Sequence, residues 1–167
     1  MPQLSLHTPC GELTLTEEDG AIVALDWGRG RDQEPTPLLR RAAGQLQDYF
    51  DGLRLDFDDL PLNPAGTPFR QRVWAAMRAI PPGETRSYAE LARLLGSAAR
   101  AVGQACGANP LPILIPCHRV VAANGSLGGY SGGDGLATKR FLLDLERRAL
   151  RRTAVPGSAP QQWTSLS

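Results

Sequence analysis

The chain reads NPLPILIPCHRV at residues 109–120, and this stretch decides how the rest of the sequence is interpreted. Three prolines interrupt its apolar residues, so we predict an extended, buried segment from Leu111 to Pro116 rather than a central strand. It leads into a thiol beside an imidazole, Cys117-His118, which is an unusual choice for packing alone. Cysteine reacts as the thiolate, whose formation a neighbouring His or Arg favours. Adjacent side chains of an extended segment point to opposite sides, so His118 reaches Cys117 only through a bend or a water.

The alternative for each of the three cysteines is a buried free thiol that packs as a small hydrophobe. We favour that interpretation for Cys10 and Cys106. At Cys117 the adjacent His118 and Arg119 shift the balance towards function. An odd count of three is also unsuited to a disulfide framework, which indicates a reducing, intracellular setting.

Three helices are predicted between residue 67 and this stretch. The first begins at Thr67-Pro68, and Pro81-Pro82-Gly83 ends it. Ser87 and Glu90 have the spacing of a capping box and open a short helix that runs to Gly96. Ser97 is the predicted cap of the next helix, which extends to Cys106. Two short helices joined by a Gly-containing turn are typical of a helix-turn-helix, although helical hairpins in cores share this pattern.

After the stretch, residues 120–130 predict a hairpin with a tight turn at Asn124-Gly125, and Lys139 to Leu150 predicts a helix. Before it, residues 4–28 alternate as strands, with a turn at Asp19-Gly20. Residues 38–51 have helical spacing. The predicted fold is therefore an α/β N-terminal domain, a small antiparallel sheet plus a helix, joined to a mostly α, winged helix-turn-helix-like C-terminal domain. We place the N-terminal domain with its linker at 1–62, the second domain at 63–150 and a disordered tail at 151–167.

Composition narrows the possible classes of protein. Hydrophobic residues make up 42% and charged residues 21% of the 167 residues, the balance of a globular protein. We expect no membrane span and no signal peptide, and hence a cytoplasmic location. Residues 1–62 carry five Arg against twelve acidic residues, a net charge of −7, whereas residues 63–167 carry thirteen basic against five acidic residues, a net charge of +8. This asymmetry suggests that the second part meets a polyanion, although charge can also differ between domains by chance.

Several segments in ordered series, from about residue 67 to 148, resemble the O(6)-alkylguanine-DNA alkyltransferases, also called methylated-DNA–protein-cysteine methyltransferases. Residues 109–120 closely resemble the active-site signature of that family. The other matching segments are Ser87–Ala92 (the helix bearing the family's tyrosine), Ala99–Gly103 (the recognition helix with its arginine finger), Gly129–Gly133 (the binding loop) and Lys139–Glu146 (the closing helix). The N-terminal part matches only in outline.

The resemblance implies a repair reaction in which an alkyl group moves irreversibly from the guanine oxygen to Cys117, once per protein molecule. His118, working through a water, and Glu146 would deprotonate the thiol, with the logic of a nucleophile, a base and an orienting carboxylate. Tyr88 would donate a proton to the departing guanine. The carbonyls of Cys117 and Val120 and the backbone of Ser131 would read the guanine edge.

The resemblance also implies how double-stranded DNA would be bound. The target base must leave the duplex, and Arg100 would fill the vacated space from the minor groove. Ala99, Ala101 and Gly103 would allow close approach there, and Asn109 would brace the loop before the nucleophile. Tyr130 and Lys139 complete the implied substrate- and DNA-binding set. A monomer associated with the nucleoid is implied.

Structural alternatives exist for the assigned residues. Arg100 alone would be interpreted as a solvated surface arginine, Glu146 as a helix-surface acid and Tyr88 as a half-buried packing residue. The chain also departs from the family pattern: the loop with Asp134-Gly135 is slightly longer, and Phe141 stands where Trp is common. Small residues at 106–108 replace bulkier or basic ones, and Asp144-Leu145-Glu146 replaces a frequent His-Glu pair.

We predict no metal, because His7 and Cys10 are the only candidate ligands in the N-terminal part and cannot complete a tetrahedral zinc site. We also predict no cofactor, because no Gly-rich phosphate loop is present. Three rival functions remain: an alkyltransferase-like lesion binder that lacks chemistry, a winged-helix transcription factor, and a Cys-His hydrolase. Cys117 argues against the first. Only Arg100 and Gln104 on the recognition helix are suited to base readout, which argues against the second.

Overall fold

The computed structural model describes residues 1–31, 33–130 and 132–153. The chain begins with an antiparallel sheet of three strands in the order β1 (Gln3–Thr8), β2 (Gly11–Glu18) and β3 (Ala21–Trp27). Asp19 and Gly20 both have positive φ in the turn between β2 and β3, as the sequence predicted. Helix α1 (Pro37–Phe50) begins after Thr36, whose hydroxyl accepts a bond from the Leu39 amide at 3.1 Å, and packs on the sheet.

The second part is mostly helical. Helix α2 (Pro68–Arg78) has Thr67 as its N-cap, and α3 (Tyr88–Leu95) begins with the predicted capping box, in which Ser87 and Glu90 bond each other's amides at 3.0 Å. The fully buried Trp74 donates its indole N–H to the Ala105 carbonyl at 2.9 Å, which fixes α2 against helix α4 (Ala99–Gly107). The predicted order of a small sheet with a helix, then a mostly helical part, is confirmed.

The predicted pair of short helices is formed by α3 and α4. Gly96 ends α3 in the left-handed conformation, with φ of 65°. The expected cap at Ser97 is wrong: the N-cap of α4 is Ala98, which makes no side-chain capping bond. The turn between α3 and α4 is thus one residue longer than a cap at Ser97 would make it. The reason is that the Ser97 amide bonds the Ala92 carbonyl and completes the end of α3.

The segment from Leu111 to Pro116 is not extended, which corrects our prediction. The Ile115 amide bonds the Leu111 carbonyl at 2.8 Å, so the backbone closes into a turn. Ile113 adopts a φ of +74° within it, although its side chain is buried. As expected, the prolines exclude a strand here, because they lack the N–H that a β-ladder needs. The hydrogen bond between Ile115 and Leu111 forms within the segment instead.

The hairpin predicted at 120–130 is formed only in part. The Ala122 amide bonds the Ser126 carbonyl at 2.9 Å around Gly125, which confirms the turn. Strand β5 (Val120–Val121), however, pairs in parallel with β4 (Arg86–Ser87), and residues 126–130 form no strand. The short strand β4 immediately before α3 provides a partner that the local hairpin pattern did not reveal.

The last element is α5 (Leu136–Thr153), which is longer at both ends than predicted. Residues 151–153, assigned to the disordered tail, continue the helix, since no Pro or Gly occurs before Pro156. The remainder of the predicted tail, 154–167, lies outside the described residues. None of the helices among the described residues is long and apolar enough to cross a membrane.

The two parts share one cluster of buried side chains. Strand β3 bonds the connecting segment through the Ile22 amide and the Pro61 carbonyl at 2.8 Å. It also bonds the second part directly, because the Leu25 amide donates to the Pro110 carbonyl at 2.9 Å. These bonds place the end of β3 beside the segment that leads to Cys117.

Candidate active site

Cys117 opens a short 3-10 helix, Cys117–Arg119, and borders an open pocket of about 480 Å³. The bend of this helix replaces the extended backbone that we expected around Cys117 and His118. Both parts of the chain contribute to the pocket wall. The lining residues are Leu25, Asp26, Trp27, Tyr88, Gly103, Cys106, Gly107, Asn109, Pro110, Pro112, Cys117, Gly129, Tyr130 and Gly132.

His118 is fully buried and contacts Glu146, with 2.7 Å between Nε2 and Oε2. A carboxylate only accepts hydrogen bonds, so Nε2 carries the proton and Nδ1 of a neutral ring is the acceptor. Nδ1 is buried and has no hydrogen-bond partner among the described residues. The predicted pair of base and orienting carboxylate is therefore brought together, with the basic nitrogen left available.

Two further side chains bind Glu146, and the sequence analysis predicted neither contact. Arg119 holds both carboxylate oxygens, through Nε at 3.0 Å and Nη2 at 2.8 Å, and donates Nη1 to the Ile80 carbonyl at 2.8 Å. The Tyr49 hydroxyl donates to Oε2 at 2.7 Å. Arg119 stood in the quoted motif, but Tyr49 lies 97 residues from Glu146 and carries no local signal.

The pKa of the Glu146 carboxyl reflects these contacts. Burial alone would raise the pKa, but the charges and hydrogen bonds of His118 and Arg119 outweigh it and hold the pKa well below its ordinary value. Glu146 is therefore ionised near neutral pH and can orient and stabilise a protonated His118.

At the Cys117 thiol, in contrast, the effect of burial on the pKa prevails. Burial raises its pKa, while a hydrogen bond from the Asn109 side chain and the charge of Lys139 act in the other direction. The thiol is thus protonated at rest and requires a base. Asn109 also braces the turn of residues 111–116, since its amide donates to the Ile115 carbonyl and its oxygen accepts from the Leu111 amide, both at 2.9 Å.

Two tyrosines border the pocket. Burial raises the pKa of Tyr88, the first residue of α3, and that of Tyr130, which lies in the loop between β5 and α5. Both are therefore proton donors near neutral pH. The Tyr130 hydroxyl is buried and has no hydrogen-bond partner among the described residues.

Lys139, which the sequence analysis included in the substrate- and DNA-binding set, lies inside the protein beside the pocket. It is fully buried, and Nζ donates to the carbonyls of Val120 at 2.6 Å, Leu127, and Gly129 at 3.2 Å. The Val120 carbonyl that we expected to read the base is thus bonded to Lys139, and the Cys117 carbonyl accepts the Val120 amide. Lys139 therefore fixes the conformation of the loop of residues 127–129 beside the pocket.

Helix α4 carries the remaining assigned residues. Ala99 and Arg100 are exposed, Ala101 and Gly103 are half-buried, and Gly103 borders the pocket. Cys106 also borders it, with its sulfur 3.5 Å from that of Met77. Ser131, the remaining predicted contact to the base, lies outside the described residues.

Two family models match the chain. The model of the 6-O-methylguanine DNA methyltransferase DNA binding domain matches residues 68–148, and that of the ribonuclease-like domain of the same protein matches residues 4–64. The chain belongs to the 6-O-methylguanine DNA methyltransferase family. The resemblance noted in the sequence is thereby confirmed.

Methyltransferases of this family from several organisms are similar to most of the chain. The constitutive methylated-DNA–protein-cysteine methyltransferase of Bacillus subtilis is 47% identical over 154 residues, which cover 84% of this chain and 92% of the relative. That of Mycobacterium bovis is 53% identical over 155 residues, covering 86% and 90%. The crystal structure of Mycobacterium tuberculosis OGT in complex with DNA is 39% identical, with a TM-score of 0.80 and full coverage of both chains.

The departures from the methyltransferase pattern are accommodated locally. Asp134 lies in a turn in which its amide donates to the Thr138 hydroxyl at 2.9 Å and the Gly135 amide bonds the Gly132 carbonyl at 2.9 Å. Phe141 stacks on Phe50, with ring centroids 6.5 Å apart. The longer loop and the smaller aromatic ring therefore leave the Glu146 network in place.

Proposed function

We propose that the chain repairs O(6)-alkylguanine in double-stranded DNA by a single, irreversible transfer of the alkyl group to Cys117. The observation that carries the assignment is the buried His118–Glu146 pair, in which His118 directly follows the pocket thiol Cys117 in the chain. Nδ1 of His118 has no hydrogen-bond partner among the described residues. Membership of the family and the similarity to a DNA-bound homologue support the substrate class.

The reaction begins with loss of the thiol proton. A water accepts the proton from Cys117 and passes one to Nδ1 of His118, whose imidazolium is stabilised by Glu146. The thiolate then attacks the alkyl carbon in line. A carbon–sulfur bond forms, the carbon–oxygen bond breaks, and its electron pair stays on the guanine oxygen.

The departing guanine must not keep the negative charge. Tyr88 borders the pocket and is protonated near neutral pH, so its hydroxyl donates a proton to the ring. The products are a thioether at Cys117 and an unmodified guanine, and solvent carries the proton held by His118 back to the Tyr88 phenolate. The thioether has no easy leaving route, so the protein is consumed.

The other two cysteines are poor acceptors. Burial raises the pKa of Cys10 to about 11 and that of Cys106 to about 12. Both therefore stay protonated near neutral pH, as Cys117 does, but of the three cysteines only Cys117 is followed by a histidine, His118, which contacts Glu146. Activation, rather than resting acidity, selects the acceptor.

For DNA binding we infer an approach of α4 to the minor groove. Arg100 is exposed near the start of α4 and inserts into the stack as the base flips out, while the small residues Ala99, Ala101 and Gly103 permit close contact. Asn109 braces the pocket edge, and Tyr130 and the backbone of Ser131 contact the base. We propose that the protein acts as a monomer, in the cytoplasm, on the nucleoid.

The test is a quench experiment with excess duplex that carries a labelled O(6)-methyl group. We expect label on the protein to stop at one equivalent. No label would indicate a lesion binder without chemistry, and repeated turnover would indicate a Cys-His hydrolase. Either of the last two results overturns the proposal.

A further inference from the structure

The N-terminal sheet forms one wall of the pocket that holds Cys117. Leu25, Asp26 and Trp27, the last residues of β3, all line it. The Leu25 amide bonds the Pro110 carbonyl at 2.9 Å, so this wall is joined to the segment that Asn109 braces. Nothing in the function proposed above gives these residues a task.

Trp27 lies directly on the backbone of the loop of residues 128–133. A Cβ atom built on Gly132 would lie 2.6 Å from the indole Nε1 and 2.7 Å from Cε2, closer than real Cβ contacts. A Cβ on Gly133 would lie 3.2 Å from Cζ3 of the same ring. Gly132 has no positive φ, so its lack of a side chain serves this close approach and not the backbone conformation.

The other end of the same loop is held by the second part of the chain. Lys139 bonds the Leu127 and Gly129 carbonyls, and a Cβ on Gly128 would lie 3.0 Å from the Tyr88 ring. The loop is therefore held at one end by Lys139 and Tyr88 and at the other end by Trp27. Tyr130, in the middle of the loop, faces the pocket.

We propose that Trp27 is a positioning residue that holds this loop against the pocket and thereby sets the size of alkyl group that reaches Cys117. The inference rests on the proposed alkyl transfer. Without the indole, the loop loses its support on one side and the pocket widens. Small groups are then held less well at the thiol, while bulky groups meet less obstruction.

The experiment compares transfer rates from duplexes that carry O(6)-methylguanine and O(6)-benzylguanine, in the wild type, Trp27→Ala and Trp27→Phe. Misplacing reacting atoms by about 1 Å costs up to about 100-fold in rate. We therefore expect Trp27→Ala to slow methyl transfer by about tenfold or more and to raise the benzyl-to-methyl rate ratio. Trp27→Phe keeps an aromatic plane and should restore most of the methyl rate. A purely structural role would lower both rates alike and leave the ratio unchanged.

A second set of variants tests the contact itself. Gly132→Ala should slow methyl transfer, because its new Cβ meets the indole. In Gly132→Ala combined with Trp27→Ala that obstruction is gone, so the double variant should be no slower than Trp27→Ala alone. Gly44→Ala, on α1 with open space around it, is the matched control and should keep the wild-type rates. Leu4→Ala, which weakens packing of the N-terminal sheet away from the pocket, should lower the unfolding temperature without changing the ratio.

Two outcomes overturn the inference while the proposed function stands. The first is an unchanged benzyl-to-methyl rate ratio in Trp27→Ala. The second is a double variant whose loss of methyl-transfer rate equals the product of the losses in the two single variants. Absence of transfer by the wild type would instead refute the proposed function. If Trp27→Ala does not fold, the benzyl-to-methyl rate ratios of Trp27→Phe and Gly132→Ala are compared with that of the wild type instead. Unchanged ratios in both variants then overturn the inference.

Discussion

Glu146 is a buried carboxylate whose two oxygens accept hydrogen bonds from three side chains, those of Tyr49, His118 and Arg119. Removing charges from water is costly, and a buried ion pair is maintained only when each charge keeps its partner. Glu146 therefore has two consequences, one for the orientation of His118 and one for the fold.

We predict that Glu146→Gln slows alkyl transfer and raises the pKa of the Cys117 thiol, while the affinity for lesion-containing DNA stays nearly unchanged. The variant also leaves Arg119 buried without its counter-charge, so it should lose roughly 3–5 kcal/mol of unfolding free energy. Thiolate absorbance against pH, single-turnover rates and denaturant unfolding measure the three quantities. Glu84→Gln is the control, since it breaks a half-exposed pair with Arg86 that is worth less than about 1 kcal/mol. An unchanged thiol pKa together with an unchanged rate would refute the relay.

Acid should weaken the fold through the same carboxyl. His118 and Arg119 more than offset the effect of burial and hold its pKa below the ordinary 4.5 in the folded chain. The stability that ionised Glu146 contributes is thus complete above its unfolded pKa and is lost as the pH falls through the lower, folded pKa. Between about pH 5 and pH 3, the unfolding free energy of the wild type should fall more steeply than that of Glu146→Gln. Parallel curves for the two proteins would contradict this assignment.

At the scale of the element, α4 presents an exposed arginine from a helix of mostly small residues. We predict that Arg100→Ala weakens binding to lesion duplex far more than it slows reaction with free O(6)-benzylguanine, because only the duplex has a base stack to fill. Fluorescence anisotropy and thiol-transfer rates measure the two effects. Arg40→Ala removes an exposed arginine from α1 and should change neither. Equal losses towards duplex and free base would assign Arg100 to the pocket or the fold instead.

Elements with a complete local signal could be predicted from the sequence. The Ser87–Glu90 capping box, the Thr67 cap before proline and the Asp19-Gly20 turn each involve residues a few positions apart. The turn at residues 111–116 could not, because prolines exclude a strand there without specifying that Ile115 bonds Leu111.

The residues of the candidate site likewise divide into those that could be predicted from the sequence and those that could not. The contact between His118 and Glu146 could be predicted from the resemblance to the family. Tyr49 and Trp27 could not, because they meet the site only through the packing of the N-terminal part on the second, and no spacing along the chain records that contact. The burial of Lys139 could not be predicted either, since lysines are almost always exposed and this burial depends on three carbonyls brought together by the loop of residues 120–129.

At the scale of the whole molecule, the opposite net charges of the two parts predict a strong effect of salt on DNA binding. Each phosphate neutralised by a Lys or Arg releases counterions, so the logarithm of the affinity should fall linearly with the logarithm of the salt concentration. Reaction with free O(6)-benzylguanine, which carries no phosphate, is the control and should be nearly independent of salt. A duplex affinity that does not change with salt would contradict a binding mode based on phosphate contacts.

The central claim is that Cys117 accepts one alkyl group and is consumed, and the intact mass after reaction with excess O(6)-methylguanine duplex tests it most directly. We predict an increase of about one CH₂ unit that maps to Cys117, and no further increase with time. An additional methyl group in a well-packed site also costs about 1–3 kcal/mol, so the alkylated protein should unfold at a lower temperature. Cys117→Ser should gain no mass, since its hydroxyl is hardly ionised near neutral pH. Multiple turnovers, or a methyl group on Cys10 or Cys106, would contradict the account.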